Sequence, residues 1–150
     1  MRKSLTFCVR KPCSVFEELY MDLLSLIYTD LCQKTSSVSS FRRAVSAFFF
    51  IVFEEWMRRQ GDNPPTGFKE KDFMNDMTQK VYGNVELTKS LFTIYFYRTL
   101  ADHFYDYGKG YIGVKLYRYY QGNQLDHPSI DASHCEKSLN SARELLKFLS

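Results

Sequence analysis

The stretch SFRRAVSAFFFIVFEEWMRRQ, residues 40–60, contains an unbroken run of apolar residues and one serine from Ala44 to Phe53. As a helix this run is apolar on every face, so it needs neighbours all round it. A membrane-spanning helix needs ~20 apolar residues. This run is shorter, and it lies between Arg42-Arg43 and Glu54-Glu55, which argues against a membrane span. Its β-branched and aromatic residues would also suit a buried strand, but Ser39 and Ser40 are good N-caps and Gly61 stands at a helix C′ position. We therefore predict a buried central helix.

Length and composition indicate one domain with a bulky core. The chain has 150 residues, and aromatic residues make up 17% of it. Its net charge of +3 comes from 20 basic and 17 acidic side chains, which is too balanced for a dedicated nucleic-acid binder. The four cysteines form no CxxC pair, so we interpret them as structural thiols rather than zinc ligands. No cofactor is predicted.

The N-terminal residues differ in charge from those that follow. Residues 1–13 carry Arg2, Lys3, Arg10 and Lys11 and no acidic residue, and we interpret them as a basic arm before a domain of residues 14–150. Ser14 and Glu17 match a capping box, so a helix is expected to begin at Val15. Apolar residues at three- and four-residue steps give this helix a wide apolar face. They are Phe16, Leu19, Tyr20, Leu23, Leu24, Ile27 and Leu31.

Three further helices follow from hydrophobic periodicity. The break at 61–67 contains two prolines and leads to a helix at 68–82 that ends at Gly83. That helix has a narrow apolar stripe of Phe73, Met74, Met77 and Val81. Asn84 can cap a second apolar helix at about 85–107, and Ser133 and Glu136 match a capping box for the last helix. The apolar residues of the helix at 85–107 cover more than one face and should supply core: Leu87, Leu91, Phe92, Ile94, Tyr95, Phe96, Leu100 and Phe104. The last helix has one apolar stripe: Cys135, Leu139, Ala142, Leu146 and Leu149. The predicted fold is an all-α, single-domain bundle of five or six helices. Its buried central helix, at about 40–60, is paired with the apolar helix at about 85–107.

The segment 109–120 fits a helix or a strand, and we favour a helix because no second strand-like segment is present. Tyrosines alternate there with cations, and both Tyr and Arg are enriched at protein interfaces. The predicted partner-binding residues are Tyr111, Lys115, Tyr117, Arg118, Tyr119 and Tyr120. Cations beside stackable rings also suit single-stranded nucleic acid. The residues of that alternative are Arg2, Lys3, Arg10, Lys11 and Lys109.

Candidate catalytic residues are sparse. Asp102, His103 and Asp106 lie near one helix end, but one histidine with a carboxylate falls short of a metal site or a triad. Glu55 stands four residues before Arg59, the favourable spacing for an ion pair on a helix. Ser46 follows two arginines but lies in the apolar run, so we expect it to be buried and bonded to a backbone carbonyl.

The sequence therefore predicts a non-enzymatic protein–protein interaction module, an adaptor or regulator that uses a helical groove or a Tyr/Arg-rich face. Its partner would be another protein or a second copy of the chain. The basic N-terminus lacks an apolar signal-peptide core, so we expect an intracellular protein without a membrane span. The alternative is a nucleic-acid-binding helical domain.

Overall fold

The structure is a computed structural model that describes residues 11–60, 70–102 and 130–150, with the backbone alone at 11–15. It also describes Val114, Lys115, Arg118, Gln121 and Gly122, all with helical backbone. Within these residues every regular element is a helix. The α-helices are α1 (Lys11–Tyr28), α2 (Val38–Arg58), α3 (Glu70–Lys80), α4 (Val85–Asp102) and α5 (Ala132–Leu149). The predicted all-α bundle is confirmed.

Helix α2 is the buried centre of the bundle, as predicted. It contacts each of the other four helices. The expectation of neighbours all round it is met only in part, because Ser39, Arg43, Phe50 and Glu54 form an exposed side. Its buried residues are Ser40, Phe41, Ala44, Val45, Phe48, Phe49, Ile51, Val52, Phe53, Glu55 and Trp56. The core next to α3 is aromatic: the ring of Phe73 lies 5.5 Å from that of Phe49 and 5.6 Å from that of Trp56, centroid to centroid, both edge to face. Such pairs stabilise a core beyond the area they bury.

The N-cap of α2 is Ser37, so the prediction of Ser39 or Ser40 is wrong. The Ser37 hydroxyl accepts from the Ser40 N–H at 3.1 Å, and the Ser40 hydroxyl accepts from the Ser37 N–H at 3.2 Å. Ser40 is thus the reciprocal partner in a capping box. Several serines in a row left the sequence with more than one suitable cap.

Ser46 is also placed differently from the prediction. Its side chain is half-buried and donates to the Asp102 carboxylate at 3.2 Å, because this side of α2 meets the end of α4. The Arg42 guanidinium donates to the Ala101 carbonyl there through Nε at 2.8 Å and Nη2 at 2.6 Å. These bonds satisfy a carbonyl at the end of α4 and join it to the start of α2.

Helix α4 pairs with α2, as predicted, but its burial is one-sided. Asn84 accepts from the Leu87 N–H at 3.0 Å and caps the helix as expected, and Gly83 ends the preceding turn with φ +86°, a backbone conformation that favours glycine. The buried residues of α4 are Leu91, Ile94, Leu100 and Ala101. Phe92, Tyr95 and Phe96, which the pattern placed among its core residues, are 46%, 36% and 42% exposed.

Helix α5 packs against α1, α2 and α4 through the predicted stripe, in which Cys135, Leu139, Ala142 and Leu146 are buried. Its N-cap is Asp131, so the prediction of Ser133 is wrong by two residues. The Asp131 carboxylate accepts from the N–H groups of Ser133 at 2.9 Å and His134 at 3.2 Å. Cys135 and Cys32 are buried free thiols, the position expected of structural cysteines.

Helix α1 also begins earlier than predicted. The backbone is already helical at Lys11, so Ser14 does not cap a helix that starts at Val15. Pro12 is compatible with this start, because proline is tolerated in the first turn of a helix. A π-helical turn, Thr29–Gln33, follows α1, and the Lys34 N–H donates to the Thr29 carbonyl at 2.8 Å.

The division into an arm at residues 1–13 and a domain at residues 14–150 stays a prediction. The predicted proline-containing break at 61–67 lies outside the described residues.

None of the helices in the described part of the chain has the length and apolar content needed to cross a membrane.

Replacing Phe49 by Ala is expected to lower the free energy of unfolding by about 3–5 kcal/mol, because it empties part of the aromatic core. Phe49 is fully buried, whereas its neighbour Phe50 is 40% exposed. Phe50→Ala is therefore the matched control, with a loss of about 1 kcal/mol or less. Urea denaturation measures both values, and equal losses would contradict the placement of α2.

Asp131→Ala is expected to cost about 1 kcal/mol at neutral pH, the usual value of an N-cap. The Ser133 hydroxyl and the backbone N–H groups of α5 lower the pKa of Asp131. A lowered pKa in the folded state gives stability that is present above the unfolded value of about 3.9 and is lost as the pH falls through the folded value.

The difference between wild type and Asp131→Ala should therefore shrink in urea titrations below about pH 4. Ser133→Ala is the control and should cost less than Asp131→Ala. A larger effect of Ser133→Ala would restore Ser133 as the cap.

Candidate interaction surface

The structure places only part of the predicted Tyr/Arg-rich site. Lys115 and Arg118 have helical backbone and exposed side chains, which agrees with a helix in this segment. Lys11 lies in α1, where only its backbone is described. The other predicted residues lie outside the described residues: Arg2, Lys3, Arg10, Lys109, Tyr111, Tyr117, Tyr119 and Tyr120. Both site assignments made from the sequence stay predictions.

A row of exposed apolar side chains on α1 is the clearest surface feature of the described residues. Phe16, Leu19, Leu23 and Leu26 are 37%, 56%, 37% and 57% exposed. Their spacing of three, four and three residues places them on one face of the helix. We call these four residues the α1 stripe.

The α1 stripe lies beside the face with which α1 packs on the bundle. Tyr20 and Leu24 are buried in the core, and Ile27 and Leu31 pack against it. The apolar surface of α1 is therefore wider than the part that α2 and α5 cover. Sequence periodicity grouped Phe16, Leu19 and Leu23 with the core and gave no separate signal for Leu26. The width of this apolar face was the one feature of the sequence that could have indicated that part of it stays exposed.

One side of the α1 stripe is acidic. Asp22 is three residues from Leu19 and four from Leu26, so it borders both on the helix surface, and Glu18 lies one turn before it. Both carboxylates are exposed. A surface hollow of about 410 Å³ continues from this edge and is lined by Glu17, Glu18, Met21 and Asp22. A molecule that docks on the α1 stripe would therefore lie beside negative charge.

The Phe16 end of the stripe is attached to α2 by a buried ionic cluster. The Glu55 carboxylate is 1% exposed and accepts from Arg58 Nε at 2.8 Å, Arg58 Nη2 at 2.9 Å and Arg59 Nε at 2.6 Å. The Arg58 guanidinium carbon lies 4.3 Å from the centroid of the Phe16 ring, within the range of a cation–π contact. Burial raises the pKa of Tyr20, and the nearby charges of Glu54 and Glu55 raise it further. The predicted Glu55–Arg59 pair is confirmed.

A second exposed apolar surface lies on α4. Phe92, Tyr95 and Phe96 are exposed, and Tyr95 also reaches the core, with its ring 6.1 Å from that of the buried Phe49. Arg98 borders this surface, with its guanidinium carbon 5.2 Å from the centroid of Phe50. Arg98 is held by ion pairs with Glu70 and with Asp102, the latter at 3.0 Å.

The polar groups around Asp102 form bonds within the protein. Asp102 accepts from Ser46 and pairs with Arg98, at the edge of a surface hollow of about 310 Å³. His103 and Asp106, its predicted companions, lie outside the described residues. Among the residues that are described, no group of three or more His, Cys, Asp or Glu side chains is placed to hold a metal ion.

Comparison with protein-family models, curated proteins and solved structures finds no match for this chain.

Replacing Glu55 by Gln is expected to cost about 1–2 kcal/mol of folding stability. The change removes the charge that binds two arginines, and hydrogen bonds to charged groups contribute about 1.5–3 kcal/mol each before screening. The adjacent Glu54 is exposed, so Glu54→Gln is the control and should stay within about 0.5 kcal/mol of wild type. Urea denaturation of both variants tests this, and a loss confined to Glu54→Gln would contradict the cluster.

Proposed function

We propose that this chain is a non-enzymatic protein–protein interaction module that binds its partner through the α1 stripe. The observation that carries the proposal is the exposure of Phe16, Leu19, Leu23 and Leu26 in one row on one helix. An adaptor or regulator inside the cell fits this role. The buried free thiols Cys32 and Cys135 suit a reducing compartment.

The arrangement of the exposed residues matters more than their number. Single apolar residues on a surface are common, whereas a contiguous apolar row marks a contact site. Burying one Leu side chain contributes about 1.5–3 kcal/mol. The four residues of the stripe are 37–57% exposed, so on partner binding each would contribute the share of this energy that belongs to its exposed area.

The nucleic-acid alternative receives no comparable support from the described residues. Four arginines of α2 and α4 make contacts within the protein, to a carbonyl or to carboxylates: Arg42, Arg58, Arg59 and Arg98. The exposed edge of the α1 stripe is acidic, with Glu18 and Asp22, which disfavours phosphate. This alternative rests on cations that lie mainly outside the described residues.

The double variant Leu19→Gln/Leu23→Gln should keep the fold and lose partner binding. Glutamine forms helices well, and both leucines are exposed enough for a small cost in stability. Proteins that co-purify with the wild-type chain from its native source would first be identified, and one would be purified for direct titration. We expect the affinity to fall about tenfold or more, since about 1.4 kcal/mol corresponds to a factor of ten.

Two control variants locate the effect. Tyr82→Gln/Val85→Gln replaces two apolar residues that are 88% and 70% exposed outside the stripe, and it should bind like wild type. Tyr117→Ala/Arg118→Ala tests the Tyr/Arg-rich segment. Loss of binding in that variant alone would move the contact site from α1 to the segment at 109–120. A steeply salt-dependent affinity for single-stranded oligonucleotides would instead favour the alternative function.

A further inference from the structure

We infer that the partner of the α1 stripe is a basic amphipathic helix. This inference rests on the proposed function and specifies the chemistry of the partner. Two observations on the described residues support it: the spacing of the apolar residues in the stripe and the negative charge along its edge. The repulsion expected between two copies of α1 excludes the chain itself as a favourable partner.

The geometry of the stripe matches a helix. Its steps of three, four and three residues are those of the a and d positions of a heptad repeat, which pair with a second helix crossing at a small angle. From Phe16 to Leu26 the stripe extends over about 15 Å, at 1.5 Å per residue. A partner helix of about four turns would cover it, with its own apolar residues at the same spacing.

The charge beside the stripe determines what the partner carries next to its apolar residues. Residues 16–34 contain four acidic side chains and one basic one, a net charge of −3, although the whole chain is at +3. Asp22 and Glu18 are exposed, whereas Lys34 pairs with Asp30 at 3.4 Å. Arg143 of α5 donates to the Ser25 hydroxyl, one turn beyond Asp22 on the same side of α1, at 2.9 Å. At the Phe16 end, the charge of Arg58 faces the buried Glu55 carboxylate. Lys or Arg residues flanking the partner's stripe would meet carboxylates along this edge.

A second copy of α1 does not carry the basic flanking residues that the acidic edge of the stripe favours. Two α1 helices packed stripe to stripe in antiparallel orientation, with the two-fold axis near Met21, would place both Asp22 carboxylates on one seam. Like charges at such a position repel and disfavour pairing. The same electrostatic reason favours a basic partner over an acidic one.

The test uses two synthetic helical peptides of about 14 residues. Both carry Leu at the a and d positions; one has Lys and the other Glu at the flanking positions. Fluorescence anisotropy with the full chain at low salt should give an affinity about tenfold or more higher for the Lys peptide, with the difference reduced at high salt. Leu19→Gln/Leu23→Gln should weaken the binding of both peptides.

Charge-reversal variants make the test specific. Glu18→Lys/Asp22→Lys should reverse the preference towards the Glu peptide. The control Glu86→Lys/Glu144→Lys makes the same change in net charge at two exposed residues that line a hollow between α4 and α5, and it should leave the preference unchanged. A control that reverses the preference equally would show that total charge, not the edge of the stripe, selects the peptide, and would overturn the inference.

The remaining outcomes separate this inference from the proposed function. Equal affinities for the two peptides, both reduced by Leu19→Gln/Leu23→Gln, would overturn the basic partner but support the stripe as a helix-binding site. No binding of either peptide would overturn both proposals. Sedimentation equilibrium of the chain alone tests self-association. A dimer that the Leu19→Gln/Leu23→Gln variant no longer forms would show that a second copy of the chain occupies the stripe, and it would overturn the inference of a basic helix.

Discussion

Burial of the wide apolar face of α2 is the constraint on which the rest of the structure depends. A helix with so wide an apolar face loses hydrophobic stabilisation wherever water reaches it, so other helices must cover that face. The side of α2 that carries Ser39, Arg43, Phe50 and Glu54 stays exposed. Helices α1, α3, α4 and α5 all contact α2. The aromatic content of the chain serves this arrangement, since Phe49, Phe53, Trp56 and Phe73 form an edge-to-face and stacked cluster at one end of α2. Each surrounding helix then has one face fixed by α2 and another left for solvent or for a partner.

The polar contacts at the ends of α2 fix how the surrounding helices lie. Arg42 binds the Ala101 carbonyl near the start of α2, while Trp56 Nε1 donates to Asp76 Oδ2 at 2.7 Å near its end. Burial alone would raise the pKa of Asp76, but hydrogen bonds from Lys80 and Trp56 outweigh it and lower the pKa. These bonds are directional, so they select one register among the packings that the apolar faces alone would allow. The exposed rows on α1 and α4 are the faces that this register leaves uncovered.

Helix α1 carries both an exposed apolar row and an acidic edge. The aromatic surface of α4 is bordered by Arg98, whose charge is already matched by Glu70 and Asp102. The α1 stripe has exposed carboxylates beside it, which gives a contact there both binding energy and selectivity. This combination is the basis for placing partner recognition on α1 and for assigning the partner's charge.

The sequence by itself determined the fold class, the central helix and the stripes of α3 and α5, because each depends on a hydrophobic period that the residues display locally. It also determined the Glu55–Arg59 pair and the Asn84 cap, which need only fixed spacings. The structure decided which of several neighbouring candidates caps α2 and α5, because Ser37 and Asp131 stand close to other suitable residues and the spacing alone does not fix where the helix begins. It likewise decided that Phe16, Leu19, Leu23 and Leu26 stay exposed while Tyr20 and Leu24 are buried. Periodicity shows how wide an apolar face is, but only the positions of neighbouring helices determine how much of that face is covered.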